Sequence, residues 1–357
     1  MDEGGRDPKC LYEIAKFGTC RYNMYEYIRM RAYTIRKRNR KKNRRSLHRA
    51  KRINKNRRLY GGNNKIKLLH WWNVKAPGTG VGSAPFFEAI FDKCTASLGE
   101  VNIYSVFPGI NSRVEKETSK SVLRVQFSGE SNYGDPDKFD INFITGDHPT
   151  RESVIPIPFA SFFMYCAKFD VADFTMNRVL KKPQSRFCLF SVSNPVGEER
   201  NMFFKELSKY KLVDSCGKYM NNMGKECPGV NYESKEYYEF ISQYKFMICF
   251  ENKSVKNYLT EKLIIAYKCG TIPIYWGCPN IEDYVNMDSI LYLKNGYTEQ
   301  DVKSLIGEIT KLDNDAAQYK KKFESIFFKD GKVPESFDTG KLNEQVCKRI
   351  SSIERFK

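Results

Sequence analysis

Apolar residues along the chain fall into short runs that alternate with segments of helical periodicity. In the clearest case, an apolar run at 245–250 precedes a polar loop at 251–258. A segment with helical spacing then begins near Thr260 and stops before Gly270, and a second apolar run follows at 271–276. This order predicts a βαβ unit, in which a helix connects two parallel strands.

The same alternation predicts further strands and helices on both sides of a charged, proline-containing linker at 178–184. On the N-terminal side we expect strands near 65–72, 101–107, 123–128 and 140–145, and a helix at about 84–98. On the C-terminal side we expect strands at 187–193 and 290–293 and helices at about 197–210, 233–243, 298–312, 316–328 and 342–355. Strands that alternate with helices imply doubly wound sheets, and we expect the last helix to cross back onto the first half.

The formal net charge of +18 is concentrated in one segment of the chain. Residues 29–58 contain sixteen Lys or Arg and no acidic residue, whereas the chain from Leu59 onward carries a net charge of +3. Too few apolar residues lie in this arm to bury one of its faces, so we expect it to stay solvated or to become helical on an anionic surface. Its charge density suits an anionic membrane surface or another polyanion, and a solubilising tail is the alternative.

The cysteines and the apolar segments bear on the cellular compartment. The eleven cysteines contain no CxxC pair, and Cys188 and Cys249 lie in apolar runs. This pattern favours reduced, buried thiols in a cytosolic protein over a secreted disulfide framework. The most apolar segment, 153–167, is shorter than the ~20 residues needed to span a bilayer and contains two prolines. Residues 1–30 lack the apolar core of a secretory signal, so we expect a cytoplasmic protein, peripheral to a membrane at most.

Lys262 lies where the predicted helix gives no structural reason for a lysine. It falls in the first turn, where the helix dipole disfavours a cation. An anion bound between this ammonium group and the free N–H groups of the helix would remove the conflict. The crevice at the carboxyl end of the preceding strand is also where such units bind ligands.

One segment, FENxxxxxYxTEK followed by AY…GTIPIYWG, resembles the donor-sugar signature of the α1,3-fucosyltransferases, glycosyltransferase family 10. Its sequence is most similar to that of bacterial members. The resemblance implies an α/β fold with GT-B architecture, in which two Rossmann-like domains face each other across a cleft. We expect four regions: a basic N-terminal arm at 1–62, an acceptor-binding domain at 63–180, a GDP-fucose-binding domain at 181–340 and a C-terminal helix at 341–357.

The resemblance also implies roles for individual residues of the C-terminal half. Arg200 follows a Ser-Asn pair and matches the arginine that grips the pyrophosphate, for which a guanidinium group has suitable geometry. Lys262 matches a lysine that contacts the diphosphate, and Glu261 matches an acid that bonds sugar hydroxyls and belongs to the catalytic set. Glu251 is part of the motif, but its role is left open. Three further positions coincide with the lining of the donor pocket: Ser193, Asn252 and Tyr258.

The general base is expected from the other half of the chain, because the acceptor enters across the cleft. Glu130 follows a strand and a glycine, as does the proposed base of bacterial relatives, and a turn glutamate is the structural alternative. The Trp71-Trp72 pair also matches these relatives and would either stack on an acceptor sugar or pack in the core. Asp135-Pro136-Asp137 spells a DxD motif, but its sequence context favours turn chemistry. The three histidines are isolated, and no metal-ligand cluster is apparent.

Together these features imply an inverting fucosyltransferase of protein glycosylation that moves L-fucose from GDP-fucose to a hydroxyl of an acceptor glycan, most simply in α1,3 linkage. Arg200 and Lys262 would supply the positive charge that other glycosyltransferases take from a metal, so no metal is required, and stimulation by Mn²⁺ or Mg²⁺ is left open. Two alternatives are the same scaffold with another nucleotide sugar, and a polyanion-binding protein with a non-catalytic Rossmann body.

Overall fold

The computed structural model describes residues 59–60, 65–69, 84–92, 94, 98–106, 110–229 and 234–356. These residues form two α/β sheets with helices around them. The basic arm at 29–58 and the Trp71-Trp72 pair lie outside the described residues. The predicted α/β class is confirmed for the described part of the chain.

The N-terminal sheet has its strands in chain order. They are β1 (Leu59–Tyr60), β2 (Ile66–Leu69), β3 (Glu100–Ser105), β4 (Val122–Phe127) and β5 (Ile141–Phe143). β1 is antiparallel to β2, and the other neighbours are parallel. The helices of this half are α1 (Ala84–Phe91), α2 (Ile110–Val114) and α3 (Phe159–Cys166). The apolar face predicted for α1 is buried, but the helix ends at Phe91 and not near residue 98.

The C-terminal sheet is entirely parallel and reverses its strand order. Its strands are β6 (Arg186–Phe190), β7 (Val213–Ser215), β8 (Tyr244–Ile248), β9 (Ile272–Tyr275) and β10 (Leu291–Tyr292), in the order β10-β9-β8-β6-β7. Its helices are α4 (Glu198–Tyr210), α5 (Lys235–Ile241), α6 (Glu261–Lys268), α7 (Glu299–Asn314) and α8 (Ala316–Phe323). The order reverses between β6 and β8, and such a switch point leaves a ligand crevice outside the strand ends.

The last helix, α9 (Thr339–Ser352), packs on the N-terminal half as predicted. Leu342, Val346 and Ile350 are buried in the same core as the apolar face of α1. Short 3-10 helices lie at Pro136–Lys138, Val171–Phe174, Ile281–Asp283, Met287–Ser289, Lys329–Gly331, Glu335–Phe337 and Glu354–Phe356. The return of α9 makes the N-terminal core depend on the end of the chain.

The expectation that the cysteines are reduced is wrong for four of them. Cys94 forms a disulfide with Cys347 at the α1–α9 contact, and Cys216 forms a second one with Cys227. Tertiary folding brings these thiols together across 253 and 11 residues, so no CxxC spacing reveals them. Because disulfides persist mainly in oxidising compartments, the cysteines no longer support a cytosolic location. In the part of the chain that the structure describes, no helix is long and apolar enough to cross a bilayer.

The polar loop after β8 is anchored on the N-terminal half. The backbone N–H of Gly146 donates to the carbonyl of Lys256 at 2.7 Å, and that of Ala160 donates to the carbonyl of Leu259 at 2.9 Å. The side-chain amide of Asn257 donates to the carbonyl of Gly146 at 3.1 Å. These bonds fix the loop between the two halves, next to the crevice of the C-terminal sheet.

Candidate active site

The ammonium group of Lys262 lies between two carboxylates at the N-terminus of α6. Its Nζ is 3.5 Å from Glu251 Oε2 and 3.5 Å from Glu261 Oε1, and it donates to Thr260 Oγ1 at 3.1 Å. A quarter of the Lys262 side chain is exposed, whereas Glu251 is fully buried. The helix thus presents a cation at the carboxyl end of β8, beside the switch point of the sheet.

Glu251, whose role the sequence left open, organises the start of α6. Its carboxylate accepts hydrogen bonds from the backbone N–H of Thr260 at 2.8 Å and from the Thr260 hydroxyl at 2.8 Å. Gly277 covers it so closely that a Cβ there would lie 2.6 Å from Glu251 Cγ, and its φ of +146° also favours glycine. Glu251 therefore satisfies a free helix N–H group and holds the residue that contacts Lys262.

The charges of this cluster shift the pKa values of its members. Burial raises the pKa of Glu251 to about 7, against the opposing effect of Lys262. Burial lowers the pKa of Lys262, but the neighbouring Glu261 and Glu251 outweigh it, so the net shift is upward. Lys262 therefore stays charged, as a diphosphate site requires.

Glu130 of the N-terminal half faces this cluster from the end of β4. It lies in the loop after the strand, and its backbone N–H donates to Ser128 Oγ at 3.1 Å. Burial raises the pKa of Glu130, Lys262 lowers it and Glu261 raises it. Glu261 and Lys262 thus lie close enough for their charges to shift the pKa of Glu130, although that residue belongs to the other sheet.

Arg200 lies beside the cluster and is buried, so it is not a solvated helix residue. Its guanidinium group donates to the carbonyls of Asn194 and Val196 and to the side-chain oxygen of Asn252, and Nε has no partner among the described residues. Asn252 directly follows Glu251 in the chain, so its bond with Arg200 holds the guanidinium group near the Lys262 cluster, and the Arg200 charge lowers the pKa of Lys262. Most of the guanidinium N–H groups nevertheless bond within the protein, and the grip of Arg200 on a pyrophosphate stays a prediction.

The remaining predicted donor-site residues surround the same crevice. Tyr258 is buried, and burial raises its phenol pKa, followed by the effects of Glu251 and Glu130. Ser193 lies at the carboxyl end of β6 and lines a cavity of about 290 Å³ together with Glu261 and Lys262. Of the seven sequence-predicted residues, three line this cavity: Ser193, Glu261 and Lys262. The other four are linked to that group by a hydrogen bond or by charge: Glu130, Arg200, Asn252 and Tyr258.

The DxD motif forms a turn, as predicted. Asp135 accepts from the backbone N–H of Asp137 at 3.1 Å and caps a short 3-10 helix. His148 contacts the hydroxyl of Tyr133 at 3.1 Å through Nε2. Among the described residues, no group of three or more His, Cys, Asp or Glu side chains is placed to hold a metal ion.

Two features of the site escaped the sequence reasoning. Asn257 has a φ of +63°, and its side chain bonds both Asn280 and Tyr284 as well as the other half of the protein. Cys216 and Cys227 line the cavity, and their disulfide closes the loop that carries Glu226. Asn257 lies inside the segment that resembles the family signature, but at one of its variable positions. The two cysteines of the disulfide show no local spacing pattern.

Residues 180–356 match the family model described as the C-terminal domain of glycosyltransferase family 10 (fucosyltransferase). The C-terminal half of the chain belongs to glycosyltransferase family 10. The resemblance inferred from the TEK signature is therefore confirmed, and the Lys262 cluster lies inside this family 10 domain.

Curated relatives match over part of the chain. An alpha-(1,3)-fucosyltransferase from Helicobacter pylori is 38% identical over 127 residues, which are 32% of this chain and 25% of that protein. A GDP-fucose protein O-fucosyltransferase 3 from Xenopus laevis is 32% identical over 146 residues, covering 40% of this chain and 30% of the relative. The matched region thus spans less than a third of either relative.

The fold extends the likeness beyond the family 10 domain. A crystal structure of an alpha1,3-fucosyltransferase with GDP-fucose superposes with a TM-score of 0.59 at 20% identity, covering 80% of this chain and 89% of that one. Another crystal structure of an alpha1,3-fucosyltransferase superposes with a TM-score of 0.57 at 23% identity, covering 71% of this chain and 79% of that one. These likenesses show the fold, and the expected GT-B architecture is confirmed.

Proposed function

We propose that this chain transfers L-fucose from GDP-fucose to a hydroxyl of an acceptor glycan, with inversion at the sugar carbon and formation of an α1,3 linkage. The observation that carries the proposal is that Glu261 and Lys262, in the family 10 domain, lie close enough to Glu130 of the N-terminal half for their charges to shift its pKa. A partly buried carboxylate near a cation provides both groups that sugar transfer from a nucleoside diphosphate requires.

Lys262 binds the diphosphate and stabilises it as it leaves. When the sugar–phosphate bond breaks, negative charge accumulates on the departing phosphate oxygen, and a preformed ammonium group lowers the energy of that state. Glu251 and Thr260 hold the start of α6 in place, so this cation needs no reorganisation during the reaction. Glu261 accepts hydrogen bonds from hydroxyls of the bound donor.

Glu130 removes the proton from the acceptor hydroxyl. The resulting oxygen attacks C1 of fucose from the face opposite the diphosphate, and the C1–O bond to the phosphate breaks with its electron pair on GDP. A single in-line displacement converts the β-linked donor into an α-linked product. Because burial raises the pKa of Glu130, it is a stronger base than an exposed glutamate once it is ionised.

A protein hydroxyl is the second candidate acceptor. It is favoured by the curated relatives named GDP-fucose protein O-fucosyltransferase 3, from Xenopus laevis and from Homo sapiens, the latter 31% identical over 126 residues that span 26% of its length. A Ser or Thr side chain would use the same base and the same donor site. The two acceptors differ in what occupies the N-terminal half of the cleft, where our domain assignment 63–180 places acceptor binding.

The donor assignment is tested with the full chain and several nucleotide sugars in a calorimetric titration. We expect GDP-fucose to bind more tightly than uridine sugars, and GDP-fucose to be turned over with a panel of oligosaccharides or a folded protein acceptor. NMR of the product then gives the linkage position and the anomeric configuration. Tighter binding of a uridine sugar would contradict the donor, and a β-linked product would contradict inversion.

Deletion of residues 1–58, which keeps β1 (Leu59–Tyr60), separates the enzyme from a polyanion-binding protein with an inert body. We expect the shortened chain to keep hydrolysis of GDP-fucose, because the site lies in the two α/β halves, and to lose binding to anionic vesicles or nucleic acid. Retention of polyanion binding would show that the arm is not its source. Loss of both activities would contradict the proposed independence of arm and enzyme.

A further inference from the structure

The cavity of about 290 Å³ extends away from Lys262 along the ends of three strands. Lys262 and Glu261 follow β8, Ser193 follows β6, and Cys216 and Glu226 follow β7. Because β6 lies between β8 and β7, the two ends of the cavity are separated by two strand spacings, or roughly 10 Å. That span suits a nucleoside diphosphate with its phosphates at Lys262 and its base near β7.

Glu226 lies at the β7 end on a loop that is closed in several ways. The Cys216–Cys227 disulfide joins the two ends of the loop, and the backbone N–H of Cys227 donates to the carbonyl of Cys216 at 2.9 Å. Inside the loop, the Asn221 side chain donates to the carbonyls of Gly217 and Lys225 at 2.9 Å each. These bonds fix the backbone next to Glu226, whose side chain is exposed and lines the cavity.

The negative charge of Glu226 disfavours a phosphate ligand, unless the carboxylate binds a different group of the same ligand. It forms no hydrogen bond or ion pair with the part of the chain that the structure describes, although it lines the cavity. A carboxylate accepts hydrogen bonds only, and its two oxygens accept from two adjacent donors. Guanine has such a pair, the ring N1–H and the exocyclic N2 amino group, whereas adenine has no N1–H and uracil has a single ring N–H.

We propose that Glu226 reads the guanine base of the donor nucleotide and so determines the preference for a guanosine diphosphate sugar. The inference rests on the proposed function, since it assumes that the cavity holds the donor. Glu226 binds the edge of the base through both oxygens, while Lys262 binds the diphosphate at the other end. The disulfide keeps the base-reading loop at the distance that the nucleotide spans.

The experiment compares GDP with inosine diphosphate, which lacks the exocyclic amino group, by calorimetry on the full chain. The wild type is expected to bind GDP about tenfold more tightly than inosine diphosphate, since one charge-assisted hydrogen bond is lost. Glu226→Gln is expected to weaken GDP by roughly 10- to 100-fold, because the amide presents a donor to the guanine amino group. The ratio between the two nucleotides should then fall to about threefold or less.

Glu236→Gln is the matched control, because Glu236 is also an exposed glutamate of this half but does not line the cavity. It should bind both nucleotides as the wild type does, and both variants should keep the wild-type melting temperature. If the wild type binds GDP but Glu226→Gln leaves its affinity and the nucleotide ratio unchanged, the inference is wrong and the proposed function stands. If the wild type prefers UDP to GDP, the donor assignment and this inference are both overturned.

Discussion

The C-terminal sheet reverses its strand order between β6 and β8, whereas the described strands of the N-terminal sheet follow one another in chain order. The reversal opens a crevice, and the residues that surround it come from loops after β6, β7 and β8. The N-terminal half adds Glu130 from a single loop. In the proposed function, donor binding is thus encoded in one sheet, while the chemical step uses one carboxylate from the other.

The two halves also differ in how disulfides hold them. Cys94–Cys347 closes 253 residues of sequence and ties the N-terminal half to the last helix, whereas Cys216–Cys227 closes 11 residues inside the donor half. A disulfide that closes a long loop restricts the unfolded chain more than one that closes a short loop. The N-terminal half therefore depends on a distant covalent link, and the donor half uses a local one to shape its cavity.

The largest expected effect on the free energy of unfolding comes from removing the Cys94–Cys347 disulfide, which closes the longer loop. The double variant Cys94→Ser with Cys347→Ser should lose roughly 5 kcal/mol of unfolding free energy, and Cys216→Ser with Cys227→Ser about 3 kcal/mol, by the loop-entropy relation. Urea unfolding of both variants beside the wild type measures the difference. Equal losses, or no loss in the first variant, would contradict the distinction between the halves.

The next effect separates chemistry from donor binding. Glu130→Gln should lower kcat by roughly 10²- to 10⁴-fold, because the amide cannot take the acceptor proton. GDP affinity should not fall, since the proposed donor site lies in the other half and the substitution removes a negative charge near Lys262. Glu152→Gln is the control, because Glu152 is 85% exposed in the same half. A large loss of GDP affinity in Glu130→Gln would assign this residue to the donor site instead.

The βαβ unit could be predicted closely from the sequence, because its apolar strands and its helix are bounded by polar residues and by Gly270. The predicted helix started near Thr260, and α6 begins at Glu261. The ends of elements were predicted less well where packing against residues distant in sequence determines them. The helix expected at 316–328 ends at Phe323, because Phe327 and Phe328 leave it to fill the core.

The site could be predicted where its residues lie in short motifs that resemble the family, and most directly where they are adjacent in sequence. Glu261 and Lys262 are adjacent in sequence, so their shared location followed directly from the chain. The burial of Glu251 and the internal bonds of Arg200 depend on the loop fold, which no spacing reveals. The position of the Cys216–Cys227 loop beside the cavity depends on where β7 ends. The expectation that its two cysteines are reduced is wrong.

A smaller effect appears in the pH dependence of stability. The pKa of Glu251 rises from its ordinary value near 4.5 to about 7 in the fold, so the native state binds this proton more tightly than the unfolded chain. Its contribution to stability is full below pH 4.5 and is lost as pH rises to 7 and above, by about 3 kcal/mol. Glu251→Gln, which does not titrate, should lack this loss.

Urea unfolding of the wild type and Glu251→Gln between pH 4 and 8 measures this difference. The wild-type curve should fall relative to that of the variant across the window, and Glu282→Gln, an exposed control in the same half, should follow the wild type. Parallel curves for the wild type and Glu251→Gln would show that the buried carboxylate does not carry the shift.

The central claim is that Lys262 binds the diphosphate of the donor at the switch point of the C-terminal sheet. Its most direct test is a calorimetric titration of GDP into the wild type, Lys262→Ala and Lys268→Ala, the last being a control at the other end of α6 that pairs with Asp173. Loss of a charge-assisted contact predicts roughly 10- to 100-fold weaker GDP binding in Lys262→Ala and no change in Lys268→Ala. Wild-type GDP affinity in a folded Lys262→Ala variant would contradict the account.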